Sequence, residues 1–296
     1  MTPTDYDYLR TLLKQRSGLV LSADKQYLVE SRLLPLVRKA GVASLSELVV
    51  RLQRSGAEPL VAEVVEAMTT NETFFFRDKF PFEHFRDAIL PALMAARSAQ
   101  RHIRIWCAAC STGQEPYSLA MSLKEMGAAL AGWRFDIVAT DIAAAVIARA
   151  TTGVYSQFEV QRGLPITLLL RYFQQQGESW QVVPEIRAMV KFRQLNLLRD
   201  FSALGMFDAV FCRNVLIYFD NDTKTDVLER VARSTQPDGF LVLGAAETVV
   251  GLTERFKPHA DRRGLYTPNP NAAPYRGSSN VISLTPRIAA AAAGRV

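Results

Sequence analysis

From about residue 100 onward, short runs of apolar and β-branched residues alternate with stretches of helical periodicity, and this alternation restricts the fold more than any other feature of the chain. The runs are IRIWC (103–107), FDIVAT (135–140), VKFRQL (190–195), FDAVFC (207–212) and FLVLGA (240–245). Helical segments are expected from about Glu115 to Met126, after Asp141 through Ala150, and over 221–235. Strands separated by helices of about 10–15 residues imply a parallel sheet covered on both faces. RGLYT (263–267) would add an edge strand. Residues 152–189 interrupt the rhythm, and QQQGESWQVVPEIR (174–187) places turn signals between short β-like pieces, which predicts an inserted subdomain.

The first seventy residues follow a different pattern. Val29, Leu33, Leu36 and Ala40 form one apolar stripe at helical spacing, flanked by Lys25, Arg32 and Lys39. Ser22 is a candidate N-cap with Asp24 in the first turn. Pro35 is expected to kink or end this helix, and Gly41 to stop it. Segments 44–54 and 58–68 continue the helical pattern, giving a small bundle with no chemistry of its own. The predicted organisation is therefore a helical domain over 1–70, a catalytic-sized α/β domain over 71–268 with the insertion at about 165–192, and a low-complexity, disordered tail over 269–296.

Composition excludes several classes. At 296 residues and 49% hydrophobic, the chain exceeds what one core usually serves and can bury enough apolar surface to fold. No window supplies the 18 or so apolar residues of a membrane span, and MTPTDYDYLR lacks the marks of a signal peptide. Cys107, Cys110 and Cys212 make no disulfide framework, so a reducing cytoplasm is expected. Of the net charge of +6, half comes from three arginines in the tail, which holds no acidic residue. Residues 10–39 carry seven basic side chains against Asp24 and Glu30. That stretch suits an acidic partner or is a solvated helix face. The catalytic part has no basic stripe suited to nucleic acid.

In an open α/β sheet, ligands bind beyond the carboxyl ends of the strands at the topological switch point. The first strand is followed by the small residues Ala108–Gly113, which let a ligand approach the backbone, and the second by Asp141, an acidic residue placed to hold ribose hydroxyls. Asn196 follows the third strand, and Arg213 and Asn214 the fourth. The loop is ACSTG rather than G-x-G-x-x-G, no P-loop is present, and Glu115 at the next helix start would repel phosphate. A negative rim suits a cation such as a sulfonium. These features point to S-adenosylmethionine.

The strings TNETFFFR (70–77), CSTGQEPYSLAM (110–121), ATDI (139–142), NLL (196–198) and FDAVFCRNVLIYFD (207–220) resemble those of the chemotaxis receptor methyltransferases, the CheR family, in order and over residues 5–267. The resemblance implies a Rossmann-like S-adenosylmethionine-dependent methyltransferase sheet with an inserted small antiparallel β-subdomain and an N-terminal all-α domain. It implies methylation of glutamate side chains on the cytoplasmic helices of methyl-accepting chemoreceptors, with S-adenosylhomocysteine as the other product. Carried over by motif position, the cofactor contacts fall on Asn71, Thr73, Arg77, Glu115, Asp141, Asn196, Leu197, Arg213 and Asn214, and the groups nearest the transferred methyl are Arg77 and Tyr218. Plainer readings stand beside these: Asn71 and Thr73 as caps, Arg77 as a surface partner of Asp78 or Glu72, Tyr218 as a buried ring with a solvated hydroxyl. Phe74–Phe76 are read as core anchors of their loop. A glutamate carboxylate is ionised at neutral pH and needs no general base; in-line positioning is what the protein must supply.

The W-C-x-x-C at 106–110 lacks the structural context of a redox motif, because Cys107 ends a strand and the next helix starts only near Glu115. His84, His102 and His259 show no zinc-ligand spacing, so no metal is expected. Three departures from the family narrow the expectation. FQQQGESWQVV (173–183) is short, with Gly177 its only glycine, which predicts an enzyme independent of a receptor's C-terminal pentapeptide tether. Pro35 and Leu36 interrupt the basic helix, leaving Arg32, Arg38 and Lys39 to meet an acidic receptor surface. Ala246 in GAAET (244–248) replaces a serine. The rivals are a nucleic-acid methyltransferase, disfavoured because RNVLIYF stands where an Asn/Asp-Pro-Pro-aromatic motif would, and a non-catalytic cofactor-binding scaffold of a chemosensory complex. A monomer without membrane insertion is the default.

Overall fold

The computed structural model describes residues 1–273; of the expected tail, residues 274–296 lie outside the described part. Helix α1 (Pro3–Ser17) opens with a capping box, in which the Thr2 hydroxyl accepts from the Asp5 N–H and the Asp5 carboxylate from the Thr2 N–H. It closes at Gly18, whose left-handed φ of 78° suits glycine. Helices α2 (Gln26–Lys39), α3 (Leu45–Leu52) and α4 (Glu58–Met68) pack with it around Leu9, Leu13, Val29, Leu33, Leu48 and Val64, all fully buried. Pro35 neither ends nor shortens α2. It lies on the exposed side, where water can take the carbonyl that its missing N–H leaves free, while Leu33, Leu36 and Val37 keep the buried stripe in place. Ser22 precedes a short 3-10 turn (Ala23–Lys25) and bonds Asp24 rather than capping α2.

Helix α5 (Phe80–His84) runs through a π turn at Phe85–Ile89 into α6 (Leu90–Ala96). The α/β part follows as β1 (His102–Ala108), α7 (Gln114–Glu125), β2 (Arg134–Asp141), α8 (Ala144–Thr152), β3 (Val154–Ser156), α9 (Gln157–Gln161), α10 (Ile166–Tyr172), β4 (Phe173–Gln176), β5 (Ser179–Val182), α11 (Pro184–Arg187), β6 (Val190–Gln194), β7 (Phe207–Cys212), α12 (Asn221–Arg233), β8 (Thr235–Leu243), β9 (Phe256–Pro258) and β10 (Leu265–Pro268). The large sheet has the order β6-β2-β1-β7-β8-β10-β9, parallel except for β10, which is antiparallel to both β8 and β9. Alternate residues of β1 enter different cores: Ile103, Ile105 and Cys107 on one face, Trp106 and Ala108 on the other. Both faces are therefore covered, as the unbroken apolar runs require.

The small antiparallel sheet has the order β3-β5-β4. It takes in Val154–Ser156, ahead of the 165–192 span expected for the insertion, whereas Val190–Gln194 pairs with β2 in the large sheet. A strand as short as VYS carries too few residues to display a period. The β4–β5 hairpin turns in two residues, Gly177 and Glu178, with Gly177 at the positive φ (60°) that a tight hairpin favours.

The chain builds outward from β1 through β2 to β6, then returns to the other side of β1 with β7 and β8. The switch point lies between β1 and β7. The helical bundle meets the same edge of the sheet: Asn196 Nδ2 donates to the Arg16 carbonyl (2.7 Å), Lys14 pairs with Asp220 (2.6 Å), the Val20 N–H reaches the Tyr218 carbonyl (2.9 Å), and Glu66 accepts from the Ala145 N–H at the start of α8 (2.7 Å).

Candidate active site

Beyond the carboxyl ends of β1, β2, β6 and β7 lies a cavity enclosing about 1000 Å³ of empty space, part of it open to solvent. All ten residues singled out from the sequence line it: Asn71, Thr73, Arg77, Glu115, Asp141, Asn196, Leu197, Arg213, Asn214 and Tyr218. Its floor is the loop after β1. Ala109 and Ser111 hold left-handed backbone (φ 55° and 50°), and at Gly113 (φ 93°) a Cβ would be strained by that φ and lie a tight 3.0 Å from that of Ala150. Non-glycine residues in this region cost of order 1–3 kcal/mol each and persist only where their surroundings enforce them. Here the Asp141 carboxylate accepts from the Ser111 N–H (2.8 Å) and the Ala143 N–H (3.0 Å), tying the loops after β1 and β2 together. Burial pushes the Asp141 carboxyl up against the pull of these N–H groups.

The segment 69–77 crosses above this floor. The Ser111 hydroxyl donates to the Asn71 carbonyl (2.7 Å), Asn71 Nδ2 donates to the Thr69 hydroxyl (3.1 Å), and the Phe76 N–H is taken by Ser118 of α7 (3.0 Å). Phe75 is the anchor, fully buried and edge-on to Tyr155 and Phe173 (5.0 and 5.5 Å between centroids). Phe76 packs on Phe82, but Phe74 is not a core residue: it is half-buried beneath the Arg162 guanidinium at 4.5 Å.

The charged groups divide sharply. Arg213 is buried and donates to Glu115 (2.6 Å), to Asp78 (2.8 Å) and to the Arg77 carbonyl (2.9 Å). Glu115 is thus not the bare negative rim expected from its place at the helix start. Burial raises its carboxyl pKa, and the Arg213 charge and hydrogen bond lower it, with burial the larger effect. Arg77 takes neither surface partner suggested by its neighbours. Asp78 goes to Arg213 and Glu72 to Arg162 (2.7 Å), while Arg77 Nη1 donates only to the Glu72 carbonyl (2.8 Å). Among the described residues, Arg77 is the cavity-lining cation without a carboxylate partner. The Tyr218 ring packs half-buried on the core beside β7, and no protein group among the described residues bonds its hydroxyl.

Asn196 is less free than a ligand-binding amide would be, since its oxygen accepts from the Leu198 N–H (2.9 Å) while its nitrogen serves Arg16; one amide hydrogen remains. Ser17 and Leu19, which also line the cavity, carry no sequence signal and arrive through that bridge. Glu247, within GAAET, holds the turn after β7; its one sequence signal is a carboxylate next to a strand's carboxyl end. The thiols of Cys107, Cys110 and Cys212 are buried and their pKa values pushed well up by burial, the reverse of an activated thiolate. No group of His, Cys, Asp and Glu suited to a metal occurs among the described residues.

Residues 71–264 match the family described as CheR methyltransferase, SAM binding domain, and residues 4–69 its all-alpha domain. The chain belongs to the CheR family. It is 46% identical over 261 residues to chemotaxis protein methyltransferase 1 of Pseudomonas aeruginosa (86% of this chain, 93% of that protein). It is 43% identical over 257 residues to chemotaxis protein methyltransferase Cher2 of Pseudomonas putida (86% and 93%) and 34% identical over 256 to a chemotaxis protein methyltransferase of Borreliella burgdorferi (85% and 90%). As a CheR-family methyltransferase it uses S-adenosylmethionine, and its cavity suits that cofactor: carboxylates and amides stand at the strand ends above a floor of small residues, Ala109, Cys110 and Ser111. No helix among the described residues is long and apolar enough to cross a membrane.

Proposed function

We propose that this enzyme methylates glutamate side-chain carboxylates on the cytoplasmic helices of chemoreceptors, forming methyl esters for sensory adaptation in the cytoplasm. The observation that carries the reading is the pair Arg77 and Tyr218: a guanidinium without an acidic partner and a hydroxyl without a protein bond, lining the same cavity as the cofactor residues. A carboxylate is the group that both would bind.

S-adenosylmethionine, when bound, supplies an electrophilic methyl on a sulfonium sulfur. In this reading Asp141 receives the ribose hydroxyls with its remaining lone pairs, and Asn71, Thr73, Glu115, Asn196, Leu197, Arg213 and Asn214 complete the enclosure. Arg77 and Tyr218 orient the substrate carboxylate so that one oxygen takes the methyl in line. No proton moves in this step, and among the described residues that line the cavity there is no histidine to serve as a general base. Charge disperses as the bond forms, so these two groups must orient the carboxylate without neutralising it.

The receptor docks, in this reading, on the helical unit 1–70. Its basic face is narrower than the sequence implied: Arg32 turns inward to the carbonyls of Met68 and Thr69 (2.7 and 3.1 Å), Lys39 pairs with Glu63 (2.7 Å), and Arg38 stays exposed. The two-residue β4–β5 turn leaves little loop to hold a peptide, which supports independence from a receptor tether.

The test compares Arg77→Ala and Tyr218→Phe with the parent enzyme for methyl transfer to receptor and for cofactor affinity. Both variants should lose turnover by more than tenfold with affinity changed less than threefold. Undiminished turnover in both refutes the assignment, and parent protein that binds cofactor but transfers nothing favours the scaffold reading.

A further inference from the structure

Glu247 lies in the loop after β8, is buried, and forms part of none of the five motifs. Its carboxylate accepts four backbone N–H groups. Oε2 takes those of Gly244 (2.8 Å) and Asn214 (2.8 Å); Oε1 takes those of Val215 (2.9 Å) and Leu216 (2.8 Å). A carboxylate has about four lone-pair sites, so protein donors saturate this one and it has nothing left for a ligand. Three of the four donors belong to the turn after β7, which carries Arg213 and Asn214 and runs through a 3-10 turn (Leu216–Tyr218) to Tyr218. Asn214 holds a left-handed φ of 58°, a conformation asparagine tolerates better than other non-glycine residues and one that these N–H bonds fix in place. Gly244 completes the arrangement, because a Cβ there would lie 2.8 Å from Glu247 Oε2 and 2.9 Å from Asn214 Nδ2.

We propose that Glu247 is a positioning residue for methyl transfer, fixing the 213–218 turn so that Asn214 and the Tyr218 hydroxyl are held at the cavity. The proposal rests on the assignment of Tyr218 made above, and the experiment separates the two. Glu247→Gln keeps the shape but leaves one acceptor oxygen and aims an NH₂ at two N–H donors. Transfer to receptor is measured for the parent, Glu247→Gln, Tyr218→Phe and the double variant, with thermal unfolding alongside.

Glu247→Gln should lower kcat at least tenfold with the receptor KM within threefold, since misplacement by about 1 Å costs up to a hundredfold. In the Tyr218→Phe background the same substitution should cost less than threefold, because residues acting as a unit are not additive. A kcat within threefold of the parent overturns the proposal. So does an equal loss in both backgrounds, which is what general loosening of the fold would give. If Tyr218→Phe is silent, the assignment of Tyr218 has failed, and the cycle is read with Asn214→Ala instead: coupling upholds the positioning role, additivity overturns it. Should Glu247→Gln not fold, Glu247→Asp, with the carboxylate drawn back by one methylene, takes its place under the same criteria.

Discussion

Replacing Arg213 by methionine removes the centre of a buried ion cluster while roughly keeping its volume. The Arg213 side chain is 2% exposed, Glu115 is 11% exposed and Asp78 30%. Removing one partner of a buried pair typically costs about 3–5 kcal/mol, because the other charge is left without water or counter-ion. Asp78 can rehydrate, and Glu115 can escape by taking up a proton, so the lower end, about 3 kcal/mol, applies. At about 2–4 °C per kcal/mol, the midpoint should fall by roughly 6–12 °C. The loss should depend on pH. Burial already raises the folded-state pKa of Glu115 above its unfolded value, so its contribution to stability is fully present below the unfolded value and is lost as pH rises through the folded one. Without Arg213 the folded value moves higher still, and the deficit relative to the parent grows with pH. Calorimetry of the cofactor-free protein between about pH 5 and 8 reads both effects. The double variant Arg213→Met/Glu115→Gln, which leaves only Asp78 charged and able to rehydrate, should regain more than half of the loss. A midpoint drop under about 2 °C, or a pH-independent one that Glu115→Gln does not relieve, would refute the reasoning.

Other consequences are equally direct. Lys14 and Thr223, the latter through its side chain and then its N–H, hold the Asp220 carboxyl down to about 2, so its contribution is present above the unfolded value near 3.8 and disappears as pH falls between the two, visible in an acid titration of the fold. Asp220→Ala also removes the N-cap of α12 and should cost about 1 kcal/mol in urea unfolding, whereas Lys14→Met, which breaks only the ion pair, should cost less; the opposite ranking would mean that the cap is idle. Phe75→Ala should destabilise by about 3–5 kcal/mol, and Gly163→Ala should be no better tolerated, since its Cβ would lie 2.1 Å from the Phe75 carbonyl oxygen at a φ of +82°. None of the three thiols should react with a water-soluble alkylating agent in the native protein at about pH 8, and all three should react in denaturant; native labelling would show that the pocket floor opens.

The alternation of apolar runs and helices was enough to give the parallel sheet, because FDAVFC and IRIWC are buried on both faces and cannot read otherwise. Strands β3 and β9, three residues each, were not legible, since neither shows a period. That α2 continues through Pro35 depends on which side of the helix meets water, and sequence does not give that side. At the site, the five motifs brought all ten residues to one cavity, but not their mutual partners. That Arg213 rather than Arg77 neutralises Glu115 and Asp78, 98 and 135 positions away in the chain, is decided by burial, as is the reach of Ser17 and Leu19 into the cavity. The role of Glu247 is not legible in the sequence for the same reason: its donors are backbone N–H groups, which every residue but proline has.

Incubation of the enzyme with methyl-labelled S-adenosylmethionine and membranes holding its host's chemoreceptors tests the central claim most directly. Label should appear on receptor bands and be released by alkali as volatile methanol, the behaviour of a carboxyl methyl ester, with receptors cut short of their C-terminal tails labelled as well as intact ones. Label that survives alkali, or cofactor binding with no label on protein, would contradict it.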